Sequence, residues 1–342
     1  MKKIIFLLLI STQILNAQSL EDLHFGTDST FEVVSWNIEW FPKNGQVTAD
    51  SVKTIIQSLA ADVYALQEID DTTLLKQVVS TITGYACHFK FSHYGGLAYV
   101  YNTNTVQVNE KYEIYTSQPY WNAFPRSPQV LELTFSNEDY VIINNHFKCC
   151  GDGTLNSNNP NDEEMRRLTA VTLLKQYIDS LFIDERVIIA GDFNDILSDP
   201  ATNNVFNSFL NDPDYLFVDF PIALGNSANF SFPTWPSHLD HILISNELFA
   251  DLSKPNSEVK CIRIDDYMSS WNAYDSNISD HRPVGLKLHV DAVFSNTLEM
   301  EPKGKNLIKL VDVLGRETYP KKNTPLFYMY ENGLVEKKIV VE

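Results

Sequence analysis

RVIIAGDFND, residues 186–195, reads as an apolar strand that ends in polar residues. A period of two puts the Asp192 and Asn194 side chains on one side and turns Phe193 toward the core. Gly191 lets the backbone approach a neighbour closely. In layered α/β proteins, strand ends and the loops after them are where sites collect, so Asp192 and Asn194 are the first candidates.

The pattern continues on both sides of this strand. Upstream lie the longest helical pattern (162–183) and the strands DYVIINNHF (139–147), SPQVLELTF (127–135) and GGLAYVYN (95–102). Nearer the N-terminus, TTLLKQVVSTI (72–82) reads as a helix and ADVYALQEI (61–69) as a strand. DSVKTIIQSLA (50–60) reads as a helix capped by Asp50, and FEVVSWNI (31–38) as a strand. Downstream, HLDHILIS (238–245) and RPVGLKLHV (282–290) complete the set. Helices alternate with strands in both halves, yet many strands follow one another directly. That mix predicts a layered α/β protein with mixed sheets. Beyond about residue 291 short strands are punctuated by Leu314-Gly315, Pro320, Pro325 and Asn332-Gly333, which predicts a small all-β unit over 297–342.

The 342 residues carry 44% hydrophobic and 12% aromatic side chains, enough for one large domain with a small appendage. Residues 1–17 read as an export signal, with Lys2 and Lys3 ahead of a short apolar run and Ala17 before Gln18. The run is too short and too interrupted, at Ser11, Thr12 and Gln13, to span a bilayer, and no later segment is apolar enough to do so. The mature protein, 18–342, is therefore expected outside the cytoplasm. The formal charge of −18 becomes −20 without Lys2 and Lys3. It becomes −21 for 18–296, because 297–342 carries eight bases and seven acids. Such a charge argues against a non-specific DNA-binding module, which neutralises phosphates with Lys and Arg. It weighs less against an enzyme that touches its substrate transiently and holds a cation. Of the four cysteines, Cys149 and Cys150 are neighbours, and a bridge between them needs an unusual local geometry. Pairing of one or both with Cys87 or Cys261 is the expectation, with connectivity unreadable from sequence.

Polar residues recur at strand ends: Asn37, Glu68, His146, Asp192 with Asn194, Asp240, and Asp280 with His281. Phosphodiester hydrolysis needs this chemistry. A hard cation is held by one or two carboxylates, a water is positioned and deprotonated, and donors stabilise the phosphorane oxygens and protonate the leaving oxygen.

The ordered motifs Ser35-Trp36-Asn37-Ile38-Glu39, Leu66-Gln67-Glu68-Ile69, Asn145-His146, Gly191-Asp192-Phe193-Asn194, Leu239-Asp240-His241-Ile242 and Ser279-Asp280-His281-Arg282-Pro283 resemble those of the endonuclease/exonuclease/phosphatase superfamily over about residues 30–290. The resemblance implies a four-layer α/β-β/α sandwich of two mixed sheets, the deoxyribonuclease I-like fold, in a catalytic domain spanning 18–291. It implies that Glu68 is the principal ligand of Mg²⁺, or of Mn²⁺ or Ca²⁺, with Asn37 and Asp280 close by. Asp192 would handle a proton and Asn194 would hold the phosphate. His281, oriented by Asp240, would contact that phosphate, and His146 would be the second imidazole at the scissile group. Arg126 matches the family's phosphate-facing arginine, and Lys148 would be a further phosphate contact.

The run Asn144–Lys148 with Arg166, Arg167 and Ala170 is similar to bacterial extracellular nucleases of the superfamily. Three departures from deoxyribonuclease I put duplex specificity in doubt: Gly95-Gly96 in place of a second glutamate, Asp70-Asp71 in place of a minor-groove arginine, and His241 beside Asp240. Asp195-Ile196 also departs from the inositol phosphatase pattern. The stretch Lys309–Glu317 with the final Lys337–Val341 looks like a type IX secretion sorting domain, implying that machinery as a partner and release or attachment at the outer cell surface. The leading expectation is a secreted, monomeric phosphodiesterase acting on nucleic acid. A phosphoesterase for phospholipid or sugar and inositol phosphates, and a non-catalytic binding module of the same fold, are the alternatives. Glu39 reads as a supporting group or a surface charge. His93, His238 and His241 read as surface or supporting residues. Trp40, Phe41, Trp121 and Trp235 read as base-stacking or packing groups.

Overall fold

The computed structural model describes residues 18–90, 95–290, 307–313, 315–319, 325–330 and 335–338. The export signal expected at 1–17 and His93 lie outside them. The chain divides into two compact units, residues 1–292 and 293–342.

In the first unit the strands are β1 (Thr30–Phe41), β2 (Val63–Ile69), β3 (Tyr85–Phe89), β4 (Gly96–Asn102), β5 (Val106–Glu113), β6 (Gln129–Phe135), β7 (Glu138–His146), β8 (Arg186–Asp192), β9 (Tyr215–Phe217), β10 (Asp240–Ser245), β11 (Glu258–Cys261) and β12 (Val284–His289). They form two six-stranded sheets, ordered β11-β12-β1-β2-β4-β3 and β5-β6-β7-β8-β10-β9. Each sheet is mixed: β1 with β2 and β7 with β8 pair parallel, and the other pairs are antiparallel.

Consecutive apolar residues serve different layers. Val33, Ala65, Ile142 and Ile188 fill the core between the sheets. Their neighbours Val34, Leu66, Ile143 and Ile189 point outward. On one side they meet helices α1 (Gly45–Leu59) and α2 (Thr72–Ser80), through Ile55, Ile56, Leu75 and Val79. On the other they meet α3 (Glu163–Leu181), through Ala170, Leu174 and Ile178. A strand covered on both faces needs apolar side chains at both parities, which is why RVIIAG does not alternate. Three apolar layers between four layers of structure give the α/β-β/α sandwich that the motifs implied. Each fully buried Ile or Leu contributes roughly 1.5–3 kcal/mol, so the central strands are the rigid part on which a site can be held.

Two helix starts show how local chemistry sets the boundaries. Asp162 caps α3 by accepting the Met165 N–H at 2.9 Å, and Glu163 and Glu164 follow in the first turn, where the helix dipole favours acids. Helix α1 starts at Gly45, earlier than the Asp50 cap the sequence suggested. The Asn44 N–H is met by the Thr48 hydroxyl at 2.7 Å, and Asp50 sits within the helix, accepting from Gln46. Among the described residues no helix is long and apolar enough to cross a membrane.

The second unit contains β13 (Leu307–Val311), β14 (Leu326–Tyr330) and β15 (Val335–Lys338), an antiparallel three-stranded sheet in the order β13-β14-β15. Leu310, Val311, Leu326 and Tyr330 are its buried side chains among the described residues.

Candidate active site

Strand register places the first candidates side by side. His146 at the end of β7 is the partner of Asp192 at the end of β8, and Asp192 is in turn the partner of Asp240 at the start of β10. The close approach needs Gly191, since a Cβ there would lie 2.1 Å from the Asn145 carbonyl oxygen. In the other sheet Asn37 is paired with Gln67, and Glu68 follows. The register of β1 against β2 shifts between Asn37 and Phe41, and that of β2 against β4 shifts between Leu66 and Ile69. Glu68 itself has φ +60°, in the left-handed region that costs a non-glycine residue of order 1–3 kcal/mol. Irregularities of this kind re-aim a side chain at a strand end, here the Glu68 carboxylate.

The loop before β12 is pinned to the same spot. The Ser279 hydroxyl donates to the Asn37 carbonyl at 2.7 Å and accepts the His281 N–H at 3.0 Å. The Tyr274 hydroxyl donates to the His281 carbonyl at 2.6 Å and accepts the Trp36 indole N–H at 3.0 Å. Glu39 accepts the Asp280 N–H at 2.9 Å and pairs with Lys43, so it supports this loop.

The result is one continuous cluster. Asn37 Nδ2 donates to Glu68 Oε1 at 3.2 Å and to Asp192 Oδ2 at 3.0 Å, tying the two sheets together. His146 Nε2 stands 3.4 Å from Asp192 Oδ2 and 3.8 Å from Glu68 Oε1. His281 Nδ1 meets Asp240 Oδ2 at 2.7 Å, and its Nε2 lies 3.9 Å from both Asp192 Oδ2 and Asp280 Oδ1.

Burial divides the charges. It lifts the Asp192 carboxyl to about 7, helped by the negative Asp240 and Glu68 and opposed by His281 and the Asn37 amide. Burial also disfavours charge on His281, but Asp240 and Asp192 outweigh it and raise the imidazole to about 10. At His146 burial, with the positive charges of Arg126 and His281, pushes the imidazole well below its usual range. One histidine is therefore neutral and the other a cation at pH 7, both facing the same Asp192 oxygen. Asp280 is lifted to about 6, mainly by burial, with His281 opposing and Glu39 adding.

The other candidates fall around this cluster. Asn194 (φ +53°) donates its backbone N–H to Asp192 Oδ1 at 2.9 Å and its amide to the Phe147 carbonyl at 3.3 Å. Arg126 donates to the Gly95 carbonyl at 3.4 Å; burial depresses its guanidinium, and the nearby Glu68 and Asp192 counteract this, which puts it in the field of the cluster. Lys148 is turned to other partners: its ammonium donates to the Cys149 carbonyl at 2.8 Å and lies 4.0 Å from Glu163. Phe41 is fully buried, whereas Trp40, Trp121 and Trp235 are exposed.

A hard divalent cation fits the donor set Asn37, Glu68 and Asp280. The Glu68 and Asp280 side chains keep 14% and 30% of their surface open to a ligand and its waters, and the Asn37 Oδ1, which accepts the Glu39 N–H at 3.0 Å, has a second lone pair to offer. Two tighter groups also bring three ligand-type atoms close, Asp192-Asp240-His281 and Asp219-His238-His241. In the first, Asp240 takes His281 Nδ1 and leaves Nε2 open, within the cluster already described; the second is not built as a cage, because its imidazole nitrogens already face other groups. His241 Nδ1 meets Asp219 Oδ2 at 2.6 Å, and Nε2 meets the Asp195 carbonyl, which can only accept, at 2.9 Å. His241 is therefore a donor on both sides and a cation; although burial opposes this, Asp219 raises its pKa. His238 Nδ1 accepts the Ser231 N–H at 3.2 Å, which leaves Nε2 as the protonated nitrogen, 3.0 Å from Asp219. Burial alone would raise the Asp219 carboxyl, but His241 and His238 hold it far below the usual carboxylate range.

His238 and His241 are thus fully buried supports and not surface residues. Asp219 escaped sequence reading because it stands in no motif. Its only signal is an acid inside the apolar stretch LFVDFPIA (216–223). The four free thiols correct the expected disulfides: Cys87 on β3 and Cys261 on β11 occupy opposite edges of one sheet, too far apart to bridge, and neither is joined to Cys149 or Cys150.

The sequence matches the endonuclease/exonuclease/phosphatase family over residues 34–281. No curated protein matches it. Among solved structures, the chain is similar to D. rerio TDP2 complexed with single strand DNA product, at 16% identity and a TM-score of 0.58, covering 77% of this chain and 100% of that one. It is similar to the human Nocturnin catalytic domain with bound sulfate anion, at 15% identity and a TM-score of 0.51, covering 78% and 95%. A family protein from Bacteroides thetaiotaomicron is similar at 15% identity and a TM-score of 0.53, covering 76% and 97%. At these identities the structural likeness is one of fold. The family match runs from Val34 in β1 to His281 in the loop before β12, and on it this chain belongs to the endonuclease/exonuclease/phosphatase family.

Proposed function

We propose that this protein is a secreted, metal-dependent phosphodiesterase that hydrolyses extracellular nucleic acid by attack of water on phosphorus. The observation that carries the reading is the single Asp192 oxygen shared by the Asn37 amide, a neutral His146 and a cationic His281, with Glu68 on the same amide.

In this reading Glu68, Asn37 and Asp280 hold the cation, Mg²⁺ first and Mn²⁺ or Ca²⁺ as alternatives. When bound it supplies charge neutralisation of the phosphate. Asp192 holds or passes a proton at Oδ2 as the water oxygen bonds to phosphorus and the ester oxygen departs with a proton. His281, kept cationic by Asp240, donates to a non-bridging phosphate oxygen through Nε2. His146 serves as the neutral imidazole at the scissile group. Asn194 and Arg126 hold the phosphate, and Lys148 joins them by turning from the Cys149 carbonyl. Each positioned proton-transfer group contributes roughly 10²- to 10⁴-fold in rate.

Two features favour nucleic acid. Trp40 is half exposed, and its ring would lie 3.6 Å from a Cβ at Gly95, the residue whose carbonyl takes Arg126. An aromatic face beside a phosphate site suits a stacked base. The single-stranded DNA product in the similar TDP2 structure points to the same substrate class. The net charge of −20 after loss of residues 1–17 disfavours an extended duplex footprint.

The same reading makes 1–17 a cleaved signal and 18–291 a monomeric catalytic domain of the bacterial extracellular branch. It makes 297–342 a sorting domain for the type IX secretion machinery, delivering the enzyme to the outer surface or the medium. The test is hydrolysis of bis(p-nitrophenyl) phosphate, single- and double-stranded DNA, RNA, sphingomyelin and inositol phosphates with Mg²⁺ or Mn²⁺. Cleavage of nucleic acid, abolished by EDTA and by Glu68→Ala, is expected. Cleavage indifferent to both would reject the site, and cleavage of the lipid or inositol phosphates alone would reject the substrate.

A further inference from the structure

We propose that Cys149 and Cys150 form a reversible vicinal disulfide, a modification site in the turn that follows β7. Their sulfurs already lie 2.9 Å apart, so a bond of about 2.05 Å requires a closure of less than about 1 Å. Cys150 is exposed and Cys149 half-buried, so a small reagent reaches the pair. The turn is held from outside. Arg167 Nη1 donates to the carbonyls of Lys148 and Cys150, both at 2.8 Å. That guanidinium is buried and fixed by Asp195 at 2.7 Å and Glu164 at 3.0 Å. Gly151 lies so close to Glu164 that a Cβ would meet its carboxylate at 2.3 Å. The carbonyls on either side of the pair are therefore anchored, and the sulfurs cannot drift apart by opening of the turn.

The other thiols are placed elsewhere. The charges that act on Cys87 are Lys76 and Lys111, whereas Cys149 lies in the surroundings of Arg126 and Arg166. Cys261 is buried in an edge strand.

The oxidant class is a small dialkyl disulfide such as oxidised glutathione. The Cys150 thiol loses its proton and its sulfur attacks one sulfur of the reagent, giving a mixed disulfide and one free thiol. Cys149 sulfur then attacks the Cys150 sulfur of that mixed disulfide, closing the 149–150 bond and releasing the second thiol. Two electrons pass from the protein to the reagent, and the two thiol protons go with them. Adjacent Cα atoms are only about 3.8 Å apart, below the usual disulfide range of about 4.4–6.8 Å, so the bond is strained and reopens under mild reductant.

The full chain, incubated with oxidised glutathione, alkylated with iodoacetamide and digested with trypsin, gives the test by mass spectrometry. The peptide Cys149–Arg166 is expected two hydrogens lighter and unalkylated. After brief treatment with reduced glutathione it carries two alkyl groups, while Cys87 and Cys261 stay unbridged throughout. A Cys149→Ser chain is expected to keep one glutathione on Cys150. Full alkylation after oxidation, a stable double glutathione adduct, or a bridge from either residue to Cys87, Cys261 or a second chain would overturn the proposal. The readout needs no hydrolysis, so its failure is separate from failure of the phosphodiesterase reading.

Discussion

Two carboxylate–imidazole pairs meet at the start of β10, through Asp240 and His241, and begin alike. Asp240 meets His281 Nδ1 at 2.7 Å, and Asp219 meets His241 Nδ1 at 2.6 Å. In both, the carboxylate raises the buried imidazole against desolvation. They part at the far nitrogen. His241 Nε2 is used up by the Asp195 carbonyl, and its ring is enclosed by Phe193, Phe206 and Phe217. His281 Nε2 has only carboxylates at 3.9 Å, and its side chain keeps 8% of its surface open. The same pair is thus a strut when both ring nitrogens are satisfied and a tool when one is left without a hydrogen bond among the described residues. His241 sits next to Asp240 in β10 and holds the carbonyl three residues after Asp192, so the strut fixes the tool.

Breaking each pair in turn should give different readouts. His281→Ala is expected to lower phosphodiester hydrolysis by roughly 10²- to 10⁴-fold in protein that is still folded, on top of the destabilisation from leaving Asp240 buried without its imidazole. His241→Ala leaves Asp219 charged and buried and is expected to destabilise the fold by about 3–5 kcal/mol, seen in urea unfolding. Equal effects on both properties from both substitutions would erase the distinction.

A subtler break keeps the hydrogen bond and removes the charge. In Asp240→Asn, His281 loses its leading source of support, so its proton should come off well below pH 10, measured by its NMR titration and by an earlier alkaline fall in activity. The sign follows from linkage. A histidine raised in the folded state stabilises fully below its unfolded pKa of about 6.5, and that contribution disappears as pH climbs through 10. The variant should therefore lose the alkaline part of that slope.

A third buried acid group sharpens the contrast because it has no imidazole. Glu32 and Asp62 are neighbours, with the Glu32 N–H on Asp62 at 3.0 Å, and burial lifts the Glu32 carboxyl to about 9. Folded Glu32 then keeps a proton that the unfolded chain releases near 4.3, so stability should fall as pH rises from about 4.3 to 9. Glu32→Gln should flatten that fall in urea midpoints. An unchanged slope would mean another group sets it.

The central strands were legible because burial on both faces leaves continuous apolar runs such as VIIA and VIIN. The edges were not. In β5, VQVNEKYE exposes half its residues, and β3, β9 and β11 are short, because an edge strand has no second neighbour and tolerates polar side chains. The strand-end residues from Asn37 to His281 were legible as an ordered series, and their convergence was not, since register and loop pinning bring them together. Lys148 followed the pattern while its ammonium went to the adjacent turn. Asp219 has meaning only through side chains more than fifteen residues away in sequence. The turn that carries Cys149 and Cys150 is held by Arg167, which reaches it from a different element.

The most direct measurement is anomalous diffraction from a crystal soaked in Mn²⁺. Density is expected at the Glu68 carboxylate, shared with Asn37 or Asp280, and none among Asp219, His238 and His241. Density at the second group, or a fully active enzyme with none at Glu68, would contradict the proposed cation site.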